Sequence, residues 1–391
     1  MEDEDKMEFR TIKELCDLVV DCPHSTPAWT EQGKIVIRNN NIKNGKIDLS
    51  SPSFTDDEHF TQRTKRAIPK AGDIVITREA PMGEVGMIPE KVECCLGQRM
   101  VLLRVNNQLC DNYYLLYSLQ SSIVQQQISW SMGTGTTVSN LRIPHLEQIR
   151  VPYVPLDKQR QISSVLCAIE EKIDNNSKVN DNLQQQAAAL FSSLYNRSNT
   201  EVRYTDLIQI LGGGTPKTGE TAYWNGNIAF FTPKDVGTPY TFITEKTITE
   251  EGLSHCNSRL YPVNTVFVTA RGTVGKVGLS GVPMAMNQSC YALVGRETHQ
   301  LLVYFYTLKV VDRLKHKASG AVFDAITTRD FDSEQIMKLS DDDAKAFLCV
   351  AEPMFQEMLN NSIENLRLST LRDFLLPKFM SGEIDISNIQ F

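Results

Sequence analysis

A chain of 391 residues divides, at roughly 150 residues per domain, into two or three units each able to bury its own core. With 41% hydrophobic and 22% charged residues it is neither a disordered chain nor a membrane-spanning one, since no stretch reaches the ~18 uninterrupted apolar residues that a span needs. The net charge of −7 is local: residues 1–6 carry −3 and residues 336–391 carry −4, so the total neither demands nor forbids a basic face for nucleic acid.

The opening MEDEDKMEF is acidic where an export signal is basic, and no apolar core follows it; the expectation is a cytoplasmic protein. Nine cysteines, at 16, 22, 94, 95, 110, 167, 256, 290 and 349, are odd in number and irregularly spaced. With no C-x-x-C pair they are expected to be buried, inert thiols rather than disulfides or metal ligands. A first globular unit is expected over residues 1–155. Inside it GDIVITREAPMGEVG (72–86) reads strand, loop, strand, and the pattern recurs 192 residues later as NTVFVTARGTVGKVG (264–278), with Thr77 over Thr269, Gly83 over Gly275 and Gly86 over Gly278. The four glycines are assigned to turns that need positive φ. Asp17, Leu18, Thr26 and Pro27 stand 189 residues before Asp206, Leu207, Thr215 and Pro216, and Gln98 stands 190 before Gln288. Loop insertions account for the drift in offset, and a second unit like the first is expected over 199–340.

Each unit is followed by a long helix, expected over 156–198 and from 341 into the 341–391 tail. Ile162, Leu166, Ile169, Ile173, Asn176, Asn180, Leu183, Ala187, Leu190 and Leu194 are spaced four and three apart throughout, the mark of a coiled-coil seam. Adding 185 to each position gives Phe347, Ala351, Met354, Met358, Asn361, Asn365, Leu368, Arg372, Leu375 and Phe379, with both central asparagines in register. Apolar seam residues serve packing. The asparagines are a register device, because a polar seam residue costs stability unless it is paired. An antiparallel pairing sets Asn176 against Asn365 and Asn180 against Asn361, whereas a parallel one joins Asn176 to Asn361. The antiparallel form is expected, with a pseudo-two-fold relation between the units and a spacer of about 48 Å at roughly 1.5 Å per residue. Pro353 and Pro377 are expected to bound or kink the second helix, and Arg372 on the seam is expected to snorkel.

Catalytic chemistry is thin. LGGGTPKTGE (211–220) resembles a phosphate cradle but lacks the Gly-Lys-Ser/Thr of a P-loop, and GTGTTV (133–138) follows no clear strand. No nucleophile elbow, no His-Glu-x-x-His and no adenine-methyltransferase Asn/Asp-Pro-Pro-aromatic motif occurs. Glu170 and Lys172 form an E-x-K that reads as solvated helix surface.

The duplicated units, the VTARGTVGKVG turn, the G-T-T-x-x-x-L stretch from Gly135 to Leu141, the Val-Pro-Leu-x-x-Gln-x-x-Ile helix entry from Val154 to Ile162 and the closing LLPKFMSGEI together resemble the specificity (S) subunit of type I restriction-modification enzymes. In the second copy the G-T-T stretch degenerates to GAVFDAITTRDF, and the helix entry LSDDDAKAF lacks the Pro and Gln. The resemblance implies an α+β chain in which two mixed target recognition domains are separated by an antiparallel coiled coil. It implies a non-catalytic reader of a bipartite sequence in double-stranded DNA, docked to methyltransferase subunits and through them to a restriction and translocase subunit. No cofactor is expected in this chain; S-adenosylmethionine is expected in the partner methyltransferase.

Direct readout favours Arg, Lys, Asn and Gln at base edges, with Ser, Thr and backbone amides on phosphates. The candidates are Arg38, Asn39, Asn40 and Arg78 in the first unit, and Thr215, Lys217, Lys234, Arg271, Thr273 and Lys276 in the second. Each is equally an ordinary residue for a solvated turn. The competing reading of the whole chain is a coiled-coil tether that positions two protein-binding modules without touching DNA.

Overall fold

A computed structural model of the chain describes residues 7–130, 140–317 and 324–386. The chain divides into two compact units, one comprising residues up to Ile173 and from Leu366 onward, the other Asp174–Asn365. The division falls inside both long helices, so each helix is shared between the two units rather than standing apart from them as the expected spacer. The reason is packing: Ile162, Leu166 and Phe379 belong to the core of the first unit, and Ala187, Leu194, Phe347 and Ala351 to that of the second.

In the first unit a four-stranded antiparallel sheet runs in the order Cys16–Asp21, Met100–Val105, Ile74–Thr77, Val85–Met87. Alternation decides its two faces. Ile74, Ile76, Val101 and Leu103 point into a core with Tyr114, Leu115 and Val124 of the helices Asn112–Gln120 and Ser122–Trp130, whereas Val75, Met100 and Leu102 point into a second cluster with Ile37 and Cys94. Burial on both faces is why these strands read as unbroken apolar runs. The second cluster is closed by a three-stranded sheet in which Lys34–Ile37 pairs antiparallel with Ser53–Thr55 and parallel with Cys94–Leu96. Glu8–Thr11 pairs with Arg150–Tyr153, tying the start of this unit to the residues before the first long helix.

The second unit repeats this plan. Ile208–Gly212, Cys290–Gly295, Val266–Thr269 and Val277–Ser280 take the same order, with Tyr240–Thr241 added parallel to the last. Trp224–Phe231 pairs antiparallel with Lys246–Ile248 and parallel with Met284–Met286. A single helix, Gln300–Lys317, replaces the two short ones. It carries Phe305 into an aromatic cluster, 5.0 Å from Phe191 and 5.2 Å from Phe347 between ring centroids.

The long helices span Leu156–Arg197 and Asp341–Ser381. In each unit their contacts run in opposite directions: Lys158 meets Asp385 and Glu170 meets Arg372 in the first, Asn176 meets Asn365 and Arg197 meets Asp343 in the second. The helices are therefore antiparallel. The second helix runs through Pro353 and Pro377, contrary to the expected bounds. Both prolines and the residues four positions before them, Cys349 and Asp373, lie on the exposed side, so water can take the freed carbonyls. Glu170 is likewise not solvated surface: its side chain is 16% exposed and takes Arg372 at 3.6 Å. All nine cysteines are free. Burial pushes the thiol of Cys94 up to about 12 and that of Cys95 to about 11, but Cys349 is exposed because it faces outward on the second helix. No helix among the described residues is long and apolar enough to cross a membrane.

Candidate nucleic-acid interface

Strand direction dictates where the loops gather. In the first unit Cys16–Asp21 and Ile74–Thr77 both run antiparallel to Met100–Val105, so the C-terminal ends of the two and the N-terminal end of the third share one edge. The parallel partners Lys34–Ile37 and Cys94–Leu96 deliver their own C-terminal ends to the same loops. Four loops, 22–28, 38–41, 78–84 and 97–99, therefore meet. In the second unit the same geometry assembles 213–217, 232–235, 270–276 and 287–289.

Four links in these loops recur in both units. The Gly97 amide donates to the Ile37 carbonyl at 2.7 Å, and the Asn287 amide to Phe231 at 3.0 Å. Asn41 Oδ1 accepts from the Arg38 amide at 2.9 Å, and Asp235 Oδ2 from the Thr232 amide at 2.8 Å, two capped bends of the same shape. The Arg78 amide donates to Arg99 and the Ala270 amide to Ser289, each at 2.8 Å. In the strand-loop-strand turn, Thr77 Oγ1 accepts from the Glu84 amide at 3.0 Å and Thr269 Oγ1 from the Lys276 amide at 2.9 Å, while Gly83 and Gly275 supply φ of +86° and +75°. Gly86 and Gly278 do not have positive φ. They sit in strands, where a Cβ on Gly86 would meet Ile47 Cγ1 at 2.9 Å and one on Gly278 the Gly237 carbonyl at 3.3 Å. At both positions close approach by a neighbouring segment, not turn geometry, leaves little room for a side chain.

Most of the candidate residues are brought onto these loops. Arg38 is exposed, lies 5.1 Å over the Trp29 ring and touches Ser53 Oγ at 3.4 Å. Asn39 Nδ2 donates to the Glu79 carbonyl at 2.7 Å, while its Oδ1 is buried and meets no donor among the described residues. Asn40 is exposed beside it. In the second unit the same two loops are joined in the opposite sense, from Thr273 Oγ1 to the Pro233 carbonyl at 3.0 Å, next to Lys234, which is exposed and 3.6 Å from Glu245. Thr215 Oγ1 donates to Gln288 Oε1, and Lys217 and Arg271 are exposed, with no carboxylate partner among the described residues.

Two candidates on these loops turn their side chains elsewhere. Arg78 is turned inward, its side chain 11% exposed: Nη1 takes both oxygens of Asp21 at 2.9 and 3.0 Å, Nε donates to the Leu141 carbonyl at 2.9 Å, and Nη2 to Asn140 Oδ1 at 3.1 Å. A guanidinium committed in this way is a structural clamp rather than a base reader. Lys276 lines an open concavity of about 420 Å³ with Asp312 and Lys315 of helix Gln300–Lys317, which none of the other candidates lines. Of the Gly135–Leu141 stretch only Asn140 and Leu141 are among the described residues, and residues 320–323 of its second copy also lie outside them.

The seam asparagines pair across the helices. Asn176 Nδ2 reaches Asn365 Oδ1 at 2.9 Å and Glu364 Oε2 at 2.7 Å, and Asn361 Nδ2 donates to Asn180 Oδ1 at 3.0 Å. Asn176 and Asn361 are 4% and 7% exposed, so the partners satisfy groups that would otherwise be costly to bury. Motif reading overlooked Gln98 and Gln288 as site residues, although the repeat had already aligned them; Gln98 Nε2 donates to Thr26 Oγ1 at 3.2 Å in the counterpart of the Thr215–Gln288 link.

A sequence model of the type I restriction modification DNA specificity domain matches residues 4–185 and again residues 196–338. The chain belongs to this family. Each match contains one complete four-loop cluster. Among its relatives, the type I restriction enzyme MjaIX specificity subunit of Methanocaldococcus jannaschii is 21% identical over 351 residues, 83% of this chain and 80% of that protein. The HindI specificity subunit of Haemophilus influenzae is 28% identical over 186 residues, 46% of this chain and 40% of its own length. The crystal structure of a type I restriction-modification S subunit from M. genitalium shares the fold, with a TM-score of 0.62 at 16% identity over 97% of this chain and 98% of that one.

Proposed function

We propose that this specificity chain reads a divided target in double-stranded DNA, each unit contacting one half-site through its four-loop face. Its long helices dock methyltransferase subunits, and a restriction and translocase subunit joins through them. On this reading the chain supplies recognition and no catalysis, and S-adenosylmethionine is bound by the partner methyltransferase. The observation that carries the proposal is the duplicated loop cluster, whose framework bonds repeat while its exposed side chains differ: Asn40 stands against Lys234, exposed Arg38 against the half-buried Thr232, and exposed Arg271 against the half-buried Glu79. A shared frame with different polar side chains suits two readers of different base sequences.

The test is selection from a random duplex pool by the complex assembled with its methyltransferase subunits, followed by a salt series on the winner. A reader enriches one split sequence and loses affinity steeply with salt, whereas a tether of protein modules enriches none. Within that assay Lys217→Ala is expected to weaken all duplexes alike. Arg271→Ala is expected to relax preference at one position by about 1–3 kcal/mol.

A further inference from the structure

The repeat separates two kinds of contact. The bases of two half-sites differ, but the phosphodiester backbone is the same at both, so polar surface residues kept identical in the two units suit the backbone. Among the residues that the repeat matches, Asp17 and Asp206 are exposed in both units but are acids that a phosphate repels; the neutral polar pair is Thr26 with Gln98 in the first unit, where Thr26 is exposed, and Thr215 with Gln288 in the second, where Gln288 is exposed. We propose that this Thr–Gln pair is a duplicated, sequence-independent phosphate contact. The inference rests on the reading of the chain as a DNA reader.

Counting hydrogens supports it. Gln98 gives its two amide hydrogens to the His24 carbonyl and to Thr26 Oγ1, so the exposed Thr26 hydroxyl, which accepts, keeps its own hydrogen. In the second unit Thr215 spends its hydrogen on Gln288 Oε1, and the exposed Gln288 amide keeps both of its hydrogens, with no acceptor among the described residues. A pair serving only to join the loops could be satisfied internally. Each of these retains a donor at the surface, and phosphate oxygens only accept. Neutral hydroxyl and amide donors are common partners of DNA phosphates.

Gln288→Glu keeps the acceptor that holds Thr215 but replaces the spare donors with a negative charge. In the assembled complex it is expected to weaken binding to the selected duplex and to an unrelated duplex alike, by about tenfold at moderate salt, with their ratio and the thermal midpoint unchanged. Unaltered affinity for both duplexes, or a loss confined to one base position, overturns the proposal. Thr26→Val removes the spare hydrogen in the first unit and decides the matter if Gln288→Glu lowers the melting temperature: uniform weakening with an unchanged midpoint upholds the pair, and wild-type affinity refutes it. A wild-type complex that selects no duplex sinks the reader itself and this inference with it, whereas a wild-type complex that selects one while both variants bind normally sinks the inference alone.

Discussion

The two units share strand order, loop links and turn geometry, yet they are held together by different chemistry. At two equivalent places the first unit buries a polar side chain where the second has alanine. Arg78 clamps Asp21, Leu141 and Asn140; the corresponding Ala270 has only backbone links, its amide to Ser289 and its carbonyl from Ile326. Gln159, fully buried, accepts from the Asp111 amide at 2.9 Å and donates to the carbonyls of Val154 and Leu109 at 2.8 and 3.2 Å. Its counterpart at the second helix entry is Ala344, which makes the same first-turn backbone bond, to Ser340 where Gln159 bonds to Pro155. The second unit compensates with rings: Phe191, Phe305, Phe347 and Phe355 form one aromatic cluster between its sheet helix and both long helices. One framework can thus be closed by directional hydrogen bonds or by nondirectional apolar contact, and the polar solution is the more brittle, because each bond lost leaves a buried group unpaired.

That contrast can be broken experimentally. The largest effect is expected from Arg78→Ala, which takes from the Asp21 carboxylate, 11% exposed, its buried guanidinium partner and leaves it His24 Nε2 at 3.0 Å, and also abandons the Leu141 carbonyl and Asn140; it should cost about 3 kcal/mol. Urea unfolding with hydrogen exchange should assign the loss to the first unit alone, and protection lost equally from both units would show that they do not differ in this way. Gln159→Ala is expected to cost about 2 kcal/mol for the three backbone groups it abandons, again read as lost protection in residues 109–154. The smallest effect concerns the seam. Asn361→Leu should cost about 1 kcal/mol by leaving Asn180 Oδ1 without its donor, and adding Asn180→Leu should recover part of it; strict additivity in the double-mutant cycle would dismiss the pairing. Cysteines placed at 176 and 365 should crosslink readily and those at 176 and 361 poorly, since only the first pair faces across antiparallel helices.

Much of the site was legible because it was written twice. The two copies set Thr26 over Thr215 and Gln98 over Gln288, and the four-three spacing marks both helices and the facing asparagines. What stayed hidden is instructive. Arg78 and Arg38 look alike in sequence, each an arginine just after an apolar strand, but the first is spent on Asp21, 57 residues away, and the second is exposed. Gly86 and Gly83 look alike too, and only Gly83 has the positive φ.

The duplication, the two long helices and the seam register are all legible in the chain, because periodicity and internal repetition are properties of its residue order. Only the folded chain settles which polar side chains remain available to a partner, how little room Gly86 and Gly278 leave for a side chain and how the second helix tolerates Pro353. Each of those depends on what a distant segment places against the residue, whether a carboxylate, a neighbouring chain segment or open water, and that is settled only when the chain has closed on itself.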